Sequence, residues 1–248
     1  MSALAADAPF RRPSLPRLSR VELRKMVDTR AGFWLLAIVA LLAVAVPVIV
    51  LIAGNEEDKA FGSLLTGTTF FTSVLLPIVG ILAVTSEWSQ RTALSTFTLV
   101  PERWRVMVAK VVAALLLGVA TVVVCVVVSL LGAAIGGEID MSASAIGSVL
   151  LFQMLGMLGG FALGALFLNS PIAIVMYFAL PTAVGIIGGL IEAFPDDWVD
   201  TSQTFEPLAE NEMAGGDWTR LLVSSLIWIA LPLALGIIRL QRAEVKSS

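Results

Sequence analysis

The sequence predicts an all-α membrane protein of six transmembrane helices, both termini cytoplasmic, preceded by an amphipathic interfacial helix. Three observations carry that expectation. Of the 248 residues, 58% are hydrophobic and 14% charged, and the mean hydropathy is +0.93, more apolar than a domain with a water-facing skin can be. The charges are confined to short segments between long apolar runs. Basic and acidic residues collect in alternate segments. The formal net charge of −3 lacks the basic footprint of a nucleic-acid binder. Histidine is absent, which removes histidine triads, histidine metal sites and haem ligation by histidine. Cys125 is the single cysteine, so no intrachain disulfide or CxxC chemistry is open to the chain, and among valines it reads as a small buried apolar residue.

Residues 1–18 read as a flexible, proline-containing tail. Arg11-Arg12 could be mistaken for a twin-arginine export signal, but the apolar run starts about twenty residues later and is too long for a signal peptide, so it reads as an uncleaved anchor. Ser19-x-x-Glu22 has capping-box spacing, which places an interfacial elbow helix over 19–32. At 100° per residue, Leu23, Met26 and Val27 fall on one side, and Arg17, Arg20, Arg24 and Asp28 on the other. Such a helix suits the membrane surface, its arginines facing anionic headgroups and Phe33-Trp34 marking the boundary. A plain basic juxtamembrane tail is the competing reading.

A hydrocarbon core of about 30 Å needs about 20 apolar helical residues. Five stretches lack Asp, Glu, Lys and Arg: Ala31 to Asn55, Ala60 to Ser86, Val111 to Gly137, Met141 to Ile191 and Leu221 to Ile238. The fourth, 51 residues long, is interrupted by Asn169-Ser170-Pro171, a turn signal that splits it in two. The six spans are therefore placed at 33–54, 63–86, 106–135, 144–168, 171–193 and 220–239, with a tail over 240–248. Pro47, Pro77 and Pro232 lie inside spans and should kink rather than end them, because lipid offers the backbone no alternative to a helix. With the N-terminus inside, 14 of the 16 basic residues lie in inner segments and 13 of the 19 acidic residues in outer ones. The positive-inside rule then sets both termini in the cytoplasm, and an odd number of spans would scramble the pattern.

The inner segment from Glu87 to Lys110 is long enough to form a helix of its own. Glu87 to Thr98 can make about three turns, and Pro101 separates it from the third span. Glu87, Arg91 and Arg103 supply both signs of charge, and Trp88, Leu94 and Phe97 supply apolar anchors, a surface a cytoplasmic partner could grip. An ordinary solvated loop is the alternative. In the fourth span Gly156, Gly160 and Gly164 form two overlapping GxxxG steps, read as close packing within the chain rather than a dimer seam. Gly132/Gly136 and Gly185/Gly189 repeat the spacing. The acidic outer segment from Ile191 to Arg220 carries Phe194, Trp198, Phe205, Leu208 and Trp218, spaced for short helices that dip into the headgroup layer. No charged residue is expected deep in a span, which weakens ion-coupled transport. Thr66, Thr69, Thr72, Gln153 and Tyr177 are scattered polar points along an otherwise apolar path, suited equally to amphipathic drugs, lipids or peptides. No Gly-Lys pair occurs, so the chain has no P-loop. If ATP drives this protein, another chain binds the ATP.

An elbow helix, six spans, a substantial loop after the second span and a long outer segment before the sixth together resemble the permease subunit of an ABC-2-type ATP-binding-cassette transporter, from about Arg17 to the C-terminus. Glu87, Thr92, Leu99-Val100-Pro101, Arg103 and Lys110 are similar to a run common in that family's first cytoplasmic loop. Trp218, the stretch Trp228 to Leu233, Gly236, Arg239, Arg242 and Glu244 to Lys246 resemble the ending of many actinobacterial permeases. The resemblance implies a bacterial plasma-membrane exporter, multidrug or otherwise, in which two permease chains, here a homodimer, enclose the path. Two separate ATPase subunits would bind ATP and Mg²⁺ and receive the 87–100 loop, with no cofactor and no catalysis on this chain itself. The competing class is a six-helix channel, immunity or scaffold protein without ATP coupling. An intramembrane enzyme is disfavoured because no polar residues cluster like a catalytic set.

Overall fold

The computed structural model describes residues 13–90, 102–191 and 193–242. Among these residues there is no strand, and six helices are long and apolar enough to cross a membrane. The chain is an all-α, multi-pass membrane protein.

The elbow helix, α1 (Leu15–Asp28), starts four residues before Ser19. Ser14 is its N-cap residue and Pro16 sits in its first turn, where a missing N–H costs nothing. The capping-box serine is therefore an interior residue. Thr29 then breaks the helix, and its side chain accepts from the Gly32 N–H at 3.2 Å to start α2 (Arg30–Ala53) at a new angle. A 3-10 turn (Glu57–Lys59) leads into α3 (Phe61–Ser89). This helix runs past the expected end of the second span, so Glu87 and Trp88 belong to its last turns and not to a separate loop helix. Residues 91–101, with Arg91, Thr92, Leu94, Phe97 and Pro101, lie outside the described residues. The third span, α4 (Arg103–Gly136), has 34 residues, about 51 Å at the rise of an α-helix, and so outreaches a hydrocarbon core of about 30 Å.

α5 (Ala143–Phe167) ends where Leu168 adopts the left-handed region at φ 51°. Asn169 then caps α6 (Ser170–Leu190) by accepting the Ile172 N–H at 3.1 Å, so the Asn169-Ser170-Pro171 signal is an N-cap placed directly after the Leu168 C-cap. Two short helices follow, α7 (Asp196–Val199) and α8 (Thr201–Ala209). The last span is α9 (Asp217–Ser225), a π-helical turn (Leu226–Ala230) and α10 (Leu231–Arg242) in succession. In that turn the Leu231 N–H reaches the Leu226 carbonyl, five residues back. Pro232 follows at once. Its ring would crowd the carbonyl four residues earlier in a regular helix, and the widened turn is the π-bulge remedy. Pro47 and Pro77 lie within α2 and α3 without ending them.

α3 and α5 are the central and most buried pair. A Cβ on Gly160 would collide with the backbone carbonyl of Pro77, and one on Gly164 would lie 3.0 Å from the Ile81 carbonyl. Gly80 faces back, 2.6 Å from the Met157 carbonyl by the same measure. Missing side chains on both helices therefore let two backbones touch. Gly156 makes only ordinary contacts, with Pro77 and the Tyr177 hydroxyl, and Gly189 meets nothing. The spacing alone did not distinguish these positions.

Candidate functional site

The end of the bundle that carries the start of α1 and the end of α10 also carries the densest electrostatics among the described residues. Lys110 sits two turns into α4 with its side chain 4% exposed. Its ammonium donates to Glu22 Oε2 at 2.6 Å and to the Ala83 carbonyl at 3.0 Å, and lies 3.3 Å from Glu87 Oε1. Lys25 closes the figure, donating to Glu22 Oε1 at 2.7 Å and Glu87 Oε1 at 2.8 Å. Two carboxylates and two ammoniums thus alternate around a ring that joins α1, α3 and α4. A buried charge left without its partner costs several kcal/mol, so Glu22, Glu87 and Lys110 are tolerable only while their partners stay, whereas Lys25, 42% exposed, can reach water. Burial works against the charge on Lys25, but hydrogen bonds to Glu22 and Glu87 and their charges outweigh it and raise its pKa above the ordinary 10.5.

The ring sits on the inward side of α1. Ser19, Glu22 and Met26 are its buried residues and Leu23 is partly buried against the core, whereas Val27, expected on the buried side, is 39% exposed. Arg20 and Arg24 do face outward, with Arg24 bonded to Asp28 at 2.9 Å. Beyond the outward-facing arginines expected of an interfacial helix, α1 is also tied to the bundle through Glu22 and Lys110. Charged residues are absent from the middle of the spans but present and buried at this end.

Arginines fasten the surrounding helix ends. Arg103 donates to the Leu240 carbonyl at 2.7 Å near the end of α10, and Arg239 donates to the Leu166 carbonyl at the end of α5. Both place a cation on unsatisfied C-terminal carbonyls. Arg105 reaches the Pro13 carbonyl at 2.9 Å, ahead of α1. Thr85 and Ser170 share a hydrogen bond of 2.7 Å between α3 and α6. Glu87 and Arg103 are thus fixed to the bundle rather than projecting from it. Lys25 and Lys110 were the members hardest to see as a site. The signals for them were a Glu22-x-x-Lys25 pair and a lysine at the edge of a long apolar run.

The scattered polar residues separate into two groups. Gln153 and Tyr177 line a cleft of about 330 Å³ between α3, α5, α6, α8 and the π-helical turn. Thr72 is linked to it through Gln153, whose amide donates to the Thr72 hydroxyl at 2.6 Å. Thr69 is buried with its hydroxyl unpartnered among the described residues, and Thr66 is exposed on α3 away from the cleft. From the segment after α6, Phe205 lines the cleft and Leu208 is fully buried, while Trp198 and Trp218 remain exposed. The indole N–H of Trp228 donates to the Val199 carbonyl at 2.7 Å and ties this segment to the last span.

A family model described as an ABC-2 family transporter protein matches residues 20–196. No curated protein matches the chain.

Proposed function

Because the chain belongs to the ABC-2 family of transporter proteins, we propose that it is the permease subunit of an ATP-driven exporter in the bacterial plasma membrane, paired with a second copy of itself and powered by two separate ATPase subunits. The observation that carries this reading is the ionic ring. It binds the last turns of α3, the first turns of α4 and the elbow α1 into one unit, at the root of the 90–102 segment. A push on that segment reaches both spans through continuous helix. The ring keeps them from yielding separately, since parting them strips a buried charge of its partner.

The assignment of roles follows. The segment containing Arg91, Thr92, Leu94, Phe97 and Pro101 docks on the ATPase, which supplies ATP and Mg²⁺. This chain contributes no catalytic group. The end holding the ring faces the cytoplasm and the acidic segment faces outside, in keeping with the distribution of basic residues. Cargo passes along the helices that line the cleft.

Co-expression with an ATPase of the cassette family and purification in mild detergent tests the reading. A stoichiometric ATPase should accompany the chain, with ATP turnover responsive to it. A chain that purifies alone and still transports solute would instead be a channel or binding protein.

A further inference from the structure

The cleft has a chemical character of its own. Among its lining residues five are aromatic and none is charged. Its volume of about 330 Å³ is at the low end of small-molecule sites. One wall is a glycine floor on α5: the ring of Tyr177 lies across it, with its hydroxyl 3.7 Å from the Cβ position of Gly156 and a ring carbon 3.5 Å from that of Gly159. These glycines face the cleft, whereas Gly160 and Gly164 face α3. Phe205 and Trp228 close the side toward α8.

Two polar groups remain available inside. Gln153 is 1% exposed and one N–H of its amide is taken by Thr72, so it can offer an occupant its carbonyl oxygen and its second N–H. Tyr177 bonds to no other described residue, so its hydroxyl can give or accept one hydrogen bond. A donor-bearing molecule satisfies both, while an ion would find no counter-charge, a burial that costs too much without a partner. Aromatic walls favour a flat ring system by offset or edge-on stacking.

Resting on the permease reading above, we propose that this cleft is a cargo site for uncharged aromatic amphiphiles that carry a hydroxyl or amide N–H, the ring system lying against Tyr177, Phe205 and Trp228 and the donor read by Gln153 and Tyr177. The test uses 1-pyrenemethanol as probe, with the full chain in phosphatidylcholine nanodiscs and binding followed by tryptophan-to-pyrene energy transfer. Displacement by excess 1-naphthalenemethanol separates site binding from partition into lipid. Binding should be saturable and displaceable. Gly159→Leu, whose side chain would press on the Tyr177 ring and Ile229 and crowd the cleft, should weaken it at least about tenfold, and Tyr177→Phe, which removes only the hydroxyl, by about five- to tenfold, one lost hydrogen bond. Pyrene, without a donor, should bind more weakly than 1-pyrenemethanol and ignore Tyr177→Phe, and 1-pyrenesulfonate should show no displaceable binding. Equal binding of pyrene and 1-pyrenemethanol, an unchanged affinity in Tyr177→Phe, or transfer that competitor cannot displace would each overturn the proposal. Because Tyr177→Phe is nearly isosteric, the test stands even if Gly159→Leu fails to fold. ATPase capture measured on the same preparations keeps the two readings apart: capture without probe binding removes the cargo site and leaves the permease.

Discussion

At the residue scale, Lys110 supplies a buried cation and Gly160 the absence of a side chain, and a contact between helices depends on each. The ammonium of Lys110 lies between two carboxylates and a backbone carbonyl. Lys110→Met should therefore destabilise the protein by about 3–5 kcal/mol, the cost of orphaning a buried partner, read as a lower melting temperature in detergent. The double variant Glu22→Gln, Lys110→Met should melt above Lys110→Met alone. A simple sum of the two losses would mean that the charges do not interact. At Gly160 the obstacle is the backbone of Pro77, which cannot step aside, whereas at Gly118 it is the end of the flexible Met154 side chain. Gly160→Leu should cost clearly more folded yield than Gly118→Leu, and equal yields would contradict the helix contact. Gly160 was legible in the sequence because GxxxG is a local pattern. The ring was not, because Glu22 and Lys110 are 88 residues apart and only the fold shows that they meet.

At the scale of elements, the six long apolar helices were legible in the sequence, since exclusion of charge from lipid is a constraint on every window of sequence. Two errors have physical causes. α1 starts early because Pro16 favours a first turn over the capping box at Ser19, and its face is set by Glu22 rather than by its apolar residues. α3 continues through Glu87 because nothing before Pro101 forbids helix there, and because Glu87 has its counter-charges on α1 and α4. The docking of α1 should accordingly depend on charge. In Lys110→Met the amides of residues 15–28 should exchange faster than in the parent, with those of α5 little changed. The pH dependence has a definite sign. With its pKa raised above 10.5, Lys25 contributes its full share at neutral pH, and that share fades only as pH climbs through the raised value. Protection of α1 should therefore be flat from pH 7 to pH 9, and a loss within that interval would show that another group holds the helix.

At the scale of the whole molecule, the distribution of charge predicts which end faces the cytoplasm. In a Cys125→Ala background, a cysteine at Ser95 should resist an impermeant thiol reagent applied to intact cells, and one at the exposed Glu212 should react. The reverse pattern would invert the proposed direction of coupling. In the proposed coupling an ATPase grips the segment after α3, and the ring makes α1, α3 and α4 move as one. The most direct measurement is ATPase co-purification together with cargo export in the double variant Arg91→Glu, Phe97→Ala, whose altered residues lie in that segment and outside the ring. The expected result is a folded, inserted chain that has lost export, either because the ATPase no longer accompanies it or because ATP turnover no longer responds to it. Full export with undiminished ATPase capture would contradict the account.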